Sequence, residues 1–171
     1  VLLALGSVPG LTDVSSAQSG TVDTFKSDSA LHHAAHRGDV ASLQRELDSG
    51  ADPNVTNRFG VTSLSLACTG GHVEAINVLL TAGADPNQAS AAGETPLMVA
   101  ARTGVVDSVL ALLEHGADPV ARESWMGQTA LMWAAAERHA DVIGALVDAG
   151  AGVKGRTNSG FSLLYISPSP R

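Results

Sequence analysis

The pentapeptide GADPN at residues 50–54 recurs letter for letter at 83–87, followed by GADPV at 116–120 and GAGVK at 150–154. A recurrence this regular says that the whole chain, and not one turn, is built in copies. Shifting the sequence by 33 residues superposes Leu31 on Leu64 and Leu64 on Leu97, and Leu131 and Leu164 follow after one extra residue. Ala34, Ala67, Ala100 and Ala134 align under the same shift, as do Gly50, Gly83, Gly116 and Gly150. The extra residue falls in ARESWMG, between elements, where insertion is best tolerated.

Each copy divides in the same way. TPLMVAART (95–103) is rich in small and apolar residues and ends at Gly104. VDSVLALLEH (106–115) places Val106, Val109, Leu112 and Leu113 at helical spacing. Gly116 then stands where a helix ends in a left-handed residue, and Asp118-Pro119 turns the chain. ARESWMG should form an extended finger closed by glycine. Isolated helices shorter than about 12–15 residues are marginal in water, so each pair must be covered by its neighbours. The expected fold class is therefore all-α, a solenoid whose stability lies between units.

GETPLMVAARTGVVDSVLALLEHGADP resembles the ankyrin repeat, with its T-P-L-H start, paired alanines, G-H turn, paired leucines and closing G-A-D. The resemblance covers residues 29–160 as four units, at 29–60, 61–93, 94–127 and 128–160. It implies antiparallel helix pairs stacked side by side with β-hairpin fingers projecting from them. At 8–10 Å between helices the row would be roughly 35 Å long. Glu46 replaces the later Leu79, Leu112 and Leu146, which marks the first unit as a polar N-terminal cap. Arg138 replaces the Gly38, Gly71 and Gly104 class. Positive φ there would cost a non-glycine residue about 1–2 kcal/mol, so a rearranged turn is expected. A fifth unit starts at 161–171 as FSLLYIS, and Pro168 and Pro170 cannot continue its helix. The second helix of the fourth unit is then left partly uncovered, which is an association hazard.

Residues 1–28 differ from the rest. Val1 to Leu5 is a short apolar run, and Ser15 and Ala17 have the small side chains of a signal-peptidase site. Residues 1–17 read as the remnant of a secretory signal, which would make the protein periplasmic or extracellular; an ordinary tail would leave it cytoplasmic. A net charge of −7, two lysines and eight scattered arginines argue against nucleic acid as a partner. No apolar run approaches the roughly 20 residues of a membrane span. Cys68 is the single cysteine, so no disulfide framework exists.

Chemistry has few candidates. In LHHAAHRGD, His32, His33 and His36 have helical metal-ligand spacing. However, His32 falls on the T-P-L-H histidine, which the resemblance implies bonds between loops, and nothing completes a tetrahedral set. His72 and His139 share the G-H position and read as structural; His115 ends a helix, where a cation is favoured. Cys68 aligns with small helix alanines and reads as a packed thiol. No phosphate loop, Walker sequence or H-E-x-x-H is present. Neither a catalytic residue, a metal ligand set nor a cofactor is expected.

What remains is surface. The resemblance implies that residues free of structural duty are the finger tips, the residue after each finger glycine, and the pair ending each first helix. Carried over by position, these give Arg58, Phe59, Val61, Arg102, Trp125, Met126, Glu137, Ser159 and Phe161 as the partner-binding set. Phe59, Val61, Trp125, Met126 and Phe161 are large apolar residues where the fold does not demand them, and aromatics, Met and Arg are the types enriched in binding hot spots. Alternatively, Trp125 and Met126 pack on the adjacent finger. The expected function is non-catalytic binding of a protein partner by fingers and concave helix surface, as a monomer. The rivals are a metal or small ligand on the first unit, or an array that associates with itself through its C-terminal end.

Overall fold

The computed structural model describes residues 23–160. Eight helices occupy them: α1 Asp23–Arg37, α2 Val40–Asp48, α3 Ser63–Gly70, α4 Val73–Thr81, α5 Pro96–Thr103, α6 Val106–Glu114, α7 Ala130–Ala136 and α8 Ala140–Asp148. Odd helices pack on odd helices, even on even, and each odd helix packs on the even one that follows it. The result is two parallel layers of four helices, the solenoid expected. Residue 29, where the first unit was expected to start, lies inside α1, which begins at Asp23.

Local chemistry starts each inner helix. Thr62, Thr95 and Thr129 are extended N-caps whose hydroxyls accept from the backbone N–H of Ser65, Met98 and Met132. Pro96 occupies the first turn of α5, where its missing N–H costs nothing. Aliphatic residues of the two layers then merge into one core: Leu31, Leu64, Leu97 and Leu131 from the inner helices, and Leu43, Ile76, Leu79, Val109, Leu112, Val142 and Leu146 from the outer ones. Each fully buried side chain of this kind contributes about 1.5–3 kcal/mol. Glu46 is half-buried, unlike the fully buried Leu79, Leu112 and Leu146 that hold its position later.

The histidines are fasteners between units. His32 is buried with its Nε2 3.1 Å from the Val61 carbonyl. His72 and His139 reach back to the His36 and Arg102 carbonyls at 3.2 and 3.0 Å. The residues they cover explain the helix-ending glycines. A Cβ on Gly38 would meet the His72 ring at 2.6 Å, one on Gly71 would meet Val105 at 2.9 Å, and one on Gly104 would meet His139 at 2.5 Å.

The fourth unit corrects the expectation for Arg138. The turn is not rearranged: Arg138 has φ +64°, and Arg138 N–H and His139 N–H donate to Ala135 and Ala134 as Gly38 and Asp39 do to Ala35 and Ala34. Crowding at the other three positions comes from the following unit, and the fourth is the last among the described residues. Arg138 is exposed, so only the strain of its backbone remains, about 1–2 kcal/mol. α7 is correspondingly short, at 7 residues.

The fingers also differ from what the resemblance implied. Among the described residues they form no strands; one isolated bridge joins Thr56 and Thr62. Across the base of the first three fingers one backbone bond runs from Asn57 to Val61, Ser90 to Glu94 and Glu123 to Gln128, at 2.9–3.0 Å, and in the first two Gly60 and Gly93 N–H donate back to Asn57 and Ser90 at 2.9 and 2.8 Å. A hairpin this short supplies too few ladder bonds to register as a strand.

Candidate functional site

One residue at the base of each finger organises it. Asn57 Oδ1 accepts from the N–H groups of Phe59 and Val61 at 2.9 and 3.1 Å. Ser90 Oγ accepts from Ala92 and Glu94 at 3.3 Å. The third finger holds the extra residue, and there the hub is Glu123, a longer side chain. Its carboxylate accepts from Trp125, Met126 and Gln128 at 2.5, 2.7 and 2.8 Å. Glu123 is buried. Burial pushes its carboxyl upward, but the backbone N–H groups of Gln128, Trp125, Met126 and Gly127 outweigh that and hold it below the ordinary glutamate value of 4.5.

The fingers are tied into a row. Ala91 N–H donates to the Phe59 carbonyl at 3.4 Å, Ser124 to Ala92 at 3.3 Å, and Asn158 to Met126 at 2.6 Å. A second set of ties runs through the GADPN turns. Asp52, Asp85 and Asp118 each accept from the backbone N–H two residues on, at 2.8–2.9 Å. The final asparagine crosses to the next unit. Asn54 accepts from Asp85 N–H at 2.7 Å and donates to Gly83 at 3.0 Å. Asn87 does the same to Asp118 and Gly116 at 2.8 and 2.9 Å. In the third turn Val120 takes that place and is half exposed, so the tie is absent between the third and fourth units. Arg122 Nη1 bridges them instead, donating to Gly127 and Arg156 at 2.8 and 2.6 Å.

On this frame Trp125 is 80% exposed and Phe59 59%. Trp125 therefore does not pack on the adjacent finger, and Met126, 37% exposed, is only partly covered. Arg58 lies against Phe59, its Cζ 4.7 Å from the ring centroid. Val61 is half-buried at a finger base, with its carbonyl held by His32; Ser159 is exposed on the fourth tip. Arg102 and Glu137 are both exposed at inner-helix ends, Arg102 with its Cζ 5.1 Å from the Trp133 ring. The tips of the third and fourth fingers are directly linked through Met126 and Asn158; Arg102 and Glu137 face a separate notch, shared with Gln128, Trp133 and Ala136. Phe161 and residues 1–17, expected to be a signal remnant, lie outside the described residues.

The groups weighed for chemistry have other duties. Cys68 is wholly buried, and burial pushes its thiol up to about 12, far from the thiolate a nucleophile needs. His115 Nδ1 sits 2.8 Å from the Ala111 carbonyl. Among the described residues no group of three His, Cys, Asp or Glu side chains is placed to hold a metal ion, and no helix is long and apolar enough to cross a membrane.

Stacked two-helix units with tied finger loops define a helical-repeat solenoid. A family model for ankyrin repeats in three copies matches residues 15–90 and 31–123, and one for the single ankyrin repeat matches 126–158. The chain belongs to the ankyrin repeat family. No match is found among the curated proteins.

Proposed function

We propose that the four units at 29–60, 61–93, 94–127 and 128–160 bind a protein partner through the finger tips and the concave helix surface, without chemistry. Ankyrin repeats are generally protein–protein interaction modules and typically non-catalytic. The observation that carries the finer reading is Trp125, an indole left 80% in solvent on a finger whose backbone is held by a buried carboxylate. An apolar anchor on a rigid frame loses little entropy on binding, so few contacts suffice. Arg58, Phe59, Met126 and Ser159 extend that surface along the tips and Val61 at a finger base, with Phe161 beyond the described residues. If residues 1–17 are a leader remnant, the encounter takes place outside the cytoplasm.

Capture of partners by the wild type beside a Phe59→Ala, Trp125→Ala double variant tests this. Truncating a hot-spot aromatic costs about 2 kcal/mol, roughly thirtyfold in Kd, so the variant should lose its partners while melting at the wild-type temperature. Equal capture removes the finger surface. Self-association is the second reading, supported by Val147 and Val153, which are 39% and 50% exposed near the C-terminal end of the described row. Sedimentation over a concentration series separates the two, since a monomer throughout leaves only the first.

A further inference from the structure

The charges of the described residues are sorted by layer. The outer helices and the turns that follow them, at 39–53, 72–86, 105–119 and 139–153, hold eleven carboxylates and one cation, Arg45. The inner helices and fingers, at 30–38, 54–71, 87–104, 120–138 and 154–160, hold seven arginines and lysines and only three carboxylates. One of those three, Glu123, is buried with its carboxylate bonded to backbone N–H groups. A chain of net charge −7 therefore carries one cationic face.

That face is densest between the third and fourth fingers. Arg122 Nη1 donates to the Gly127 and Arg156 carbonyls at 2.8 and 2.6 Å, and its Nη2 lies 3.7 Å from where a Cβ on Gly155 would stand. The guanidinium thus rests on the backbone between Lys154 and Arg156, and all three cations are exposed. The carbonyls orient the Arg122 head but leave its charge unopposed. Among the described residues no ion pair joins any of the three to a carboxylate, and residues 161–171 contain no Asp or Glu. Like charges held this close repel, so an arriving anion relieves repulsion as well as making its own contacts. The outer carboxylates stand a helix layer away, about 8–10 Å, which matches the Debye length of about 8 Å in physiological salt.

We infer that Arg122, Lys154 and Arg156 form the docking site for an acidic segment of the protein partner, an extended or looped stretch with two or more Asp or Glu side chains. The inference rests on the protein-binding reading and fixes the sign of the partner's surface. Trp125, three residues along the same finger from Arg122, offers the apolar contact of the same encounter. A nucleic-acid strand needs a cationic groove that runs over several nucleotides. Here the second finger, 87–94, carries Glu94 and no cation, so the run is broken.

The probe is the blocked peptide acetyl-Ala-Glu-Ala-Glu-Ala-amide, with its glutamine version as control and an eight-residue oligodeoxythymidylate as a separate arm. In a nitrogen–proton correlation spectrum of the whole chain, the glutamate peptide should move the backbone signals of residues 154–156 saturably at millimolar concentration. Raising salt from about 0.05 M to about 0.5 M should weaken that binding several-fold, and the glutamine peptide should leave the signals still. The double variant Lys154→Gln, Arg156→Gln removes two exposed charges whose side chains hold no partner among the described residues, and it should bind at least tenfold more weakly. Arg45→Glu lowers the net charge equally from the outer layer and should bind as the wild type does. Still signals, an equal response to the glutamine peptide, an equal loss in Arg45→Glu, or tighter binding of the oligonucleotide would each overturn the assignment. Partner capture that depends on Trp125 but survives Lys154→Gln, Arg156→Gln would sink this site and leave the finger surface standing.

Discussion

Glu123 shows how one side chain absorbs an insertion. The third finger has one residue more than the first two, and only a carboxylate on a longer stem meets three N–H groups around it. Because folding lowers its pKa, the stability it adds is complete above the unfolded glutamate value of 4.5 and is lost as pH falls through the lower folded value. Thermal melts of wild type and Glu123→Ala should therefore differ at pH 7 and converge toward pH 3; a constant gap would contradict the sign. Val120 gives the converse case. Asn54 and Asn87 cross between units, while Val120 cannot, so Val120→Asn should restore a bond to the Gly150 carbonyl. One added bond is worth about 1 kcal/mol, or roughly 2–4 °C in melting temperature for a domain of this size. Both roles had a signal in the sequence, the identity of Asn54 with Asn87 and the 57, 90, 123 register. A repeated polar residue in a loop, however, shows only that something recurs, not which neighbour it touches.

At the scale of elements, the turn joining each helix pair carries two separable costs. Gly104 has φ +78° and lies where a Cβ would meet His139 at 2.5 Å, so Gly104→Ala adds strain and a clash. Arg138 has the same backbone without the clash. Gly104→Ala should destabilise by more than the 1–2 kcal/mol of strain alone, whereas Arg138→Gly should stabilise, by about 1 kcal/mol. Urea unfolding of both variants checks this, and a destabilised Arg138→Gly would mean that the arginine makes a contact worth more than its strain. The helices themselves were legible because capping threonines, aliphatic periodicity and turn glycines agree from 62 onward. Arg138 was misread for a physical reason: the sequence shows the residue, but the crowding that makes glycine necessary elsewhere comes from the next unit. The fingers form no strands among the described residues because one or two backbone bonds per finger close a loop without making a sheet. The register of the repeat put Arg102 and Glu137 on the surface, but nothing in the sequence showed that they line one notch with Gln128, Trp133 and Ala136, since these residues come from two different units.

For the molecule as a whole, four helix pairs, each too short to stand alone, share one core and present their loops as a tied row. Inner and outer helices of the second and third units have neighbours on both sides, and among the described helices α8 packs chiefly on α6 and α7. In such arrays stability is the sum of unit and interface contributions, so protection should follow position in the row and not the composition of a helix. Cys68, sealed in α3 with its thiol pushed up to about 12, reports the same thing chemically: iodoacetamide should label it at the rate of unfolding, and rapid labelling at pH 8 would mean that α3 opens on its own. The most direct measurement is native-state hydrogen exchange resolved by helix. The account predicts that α3 and α5 exchange slowest and α8 fastest among α3 to α8. Equal protection throughout, or slowest exchange in α8, would show that the units do not depend on one another for their stability.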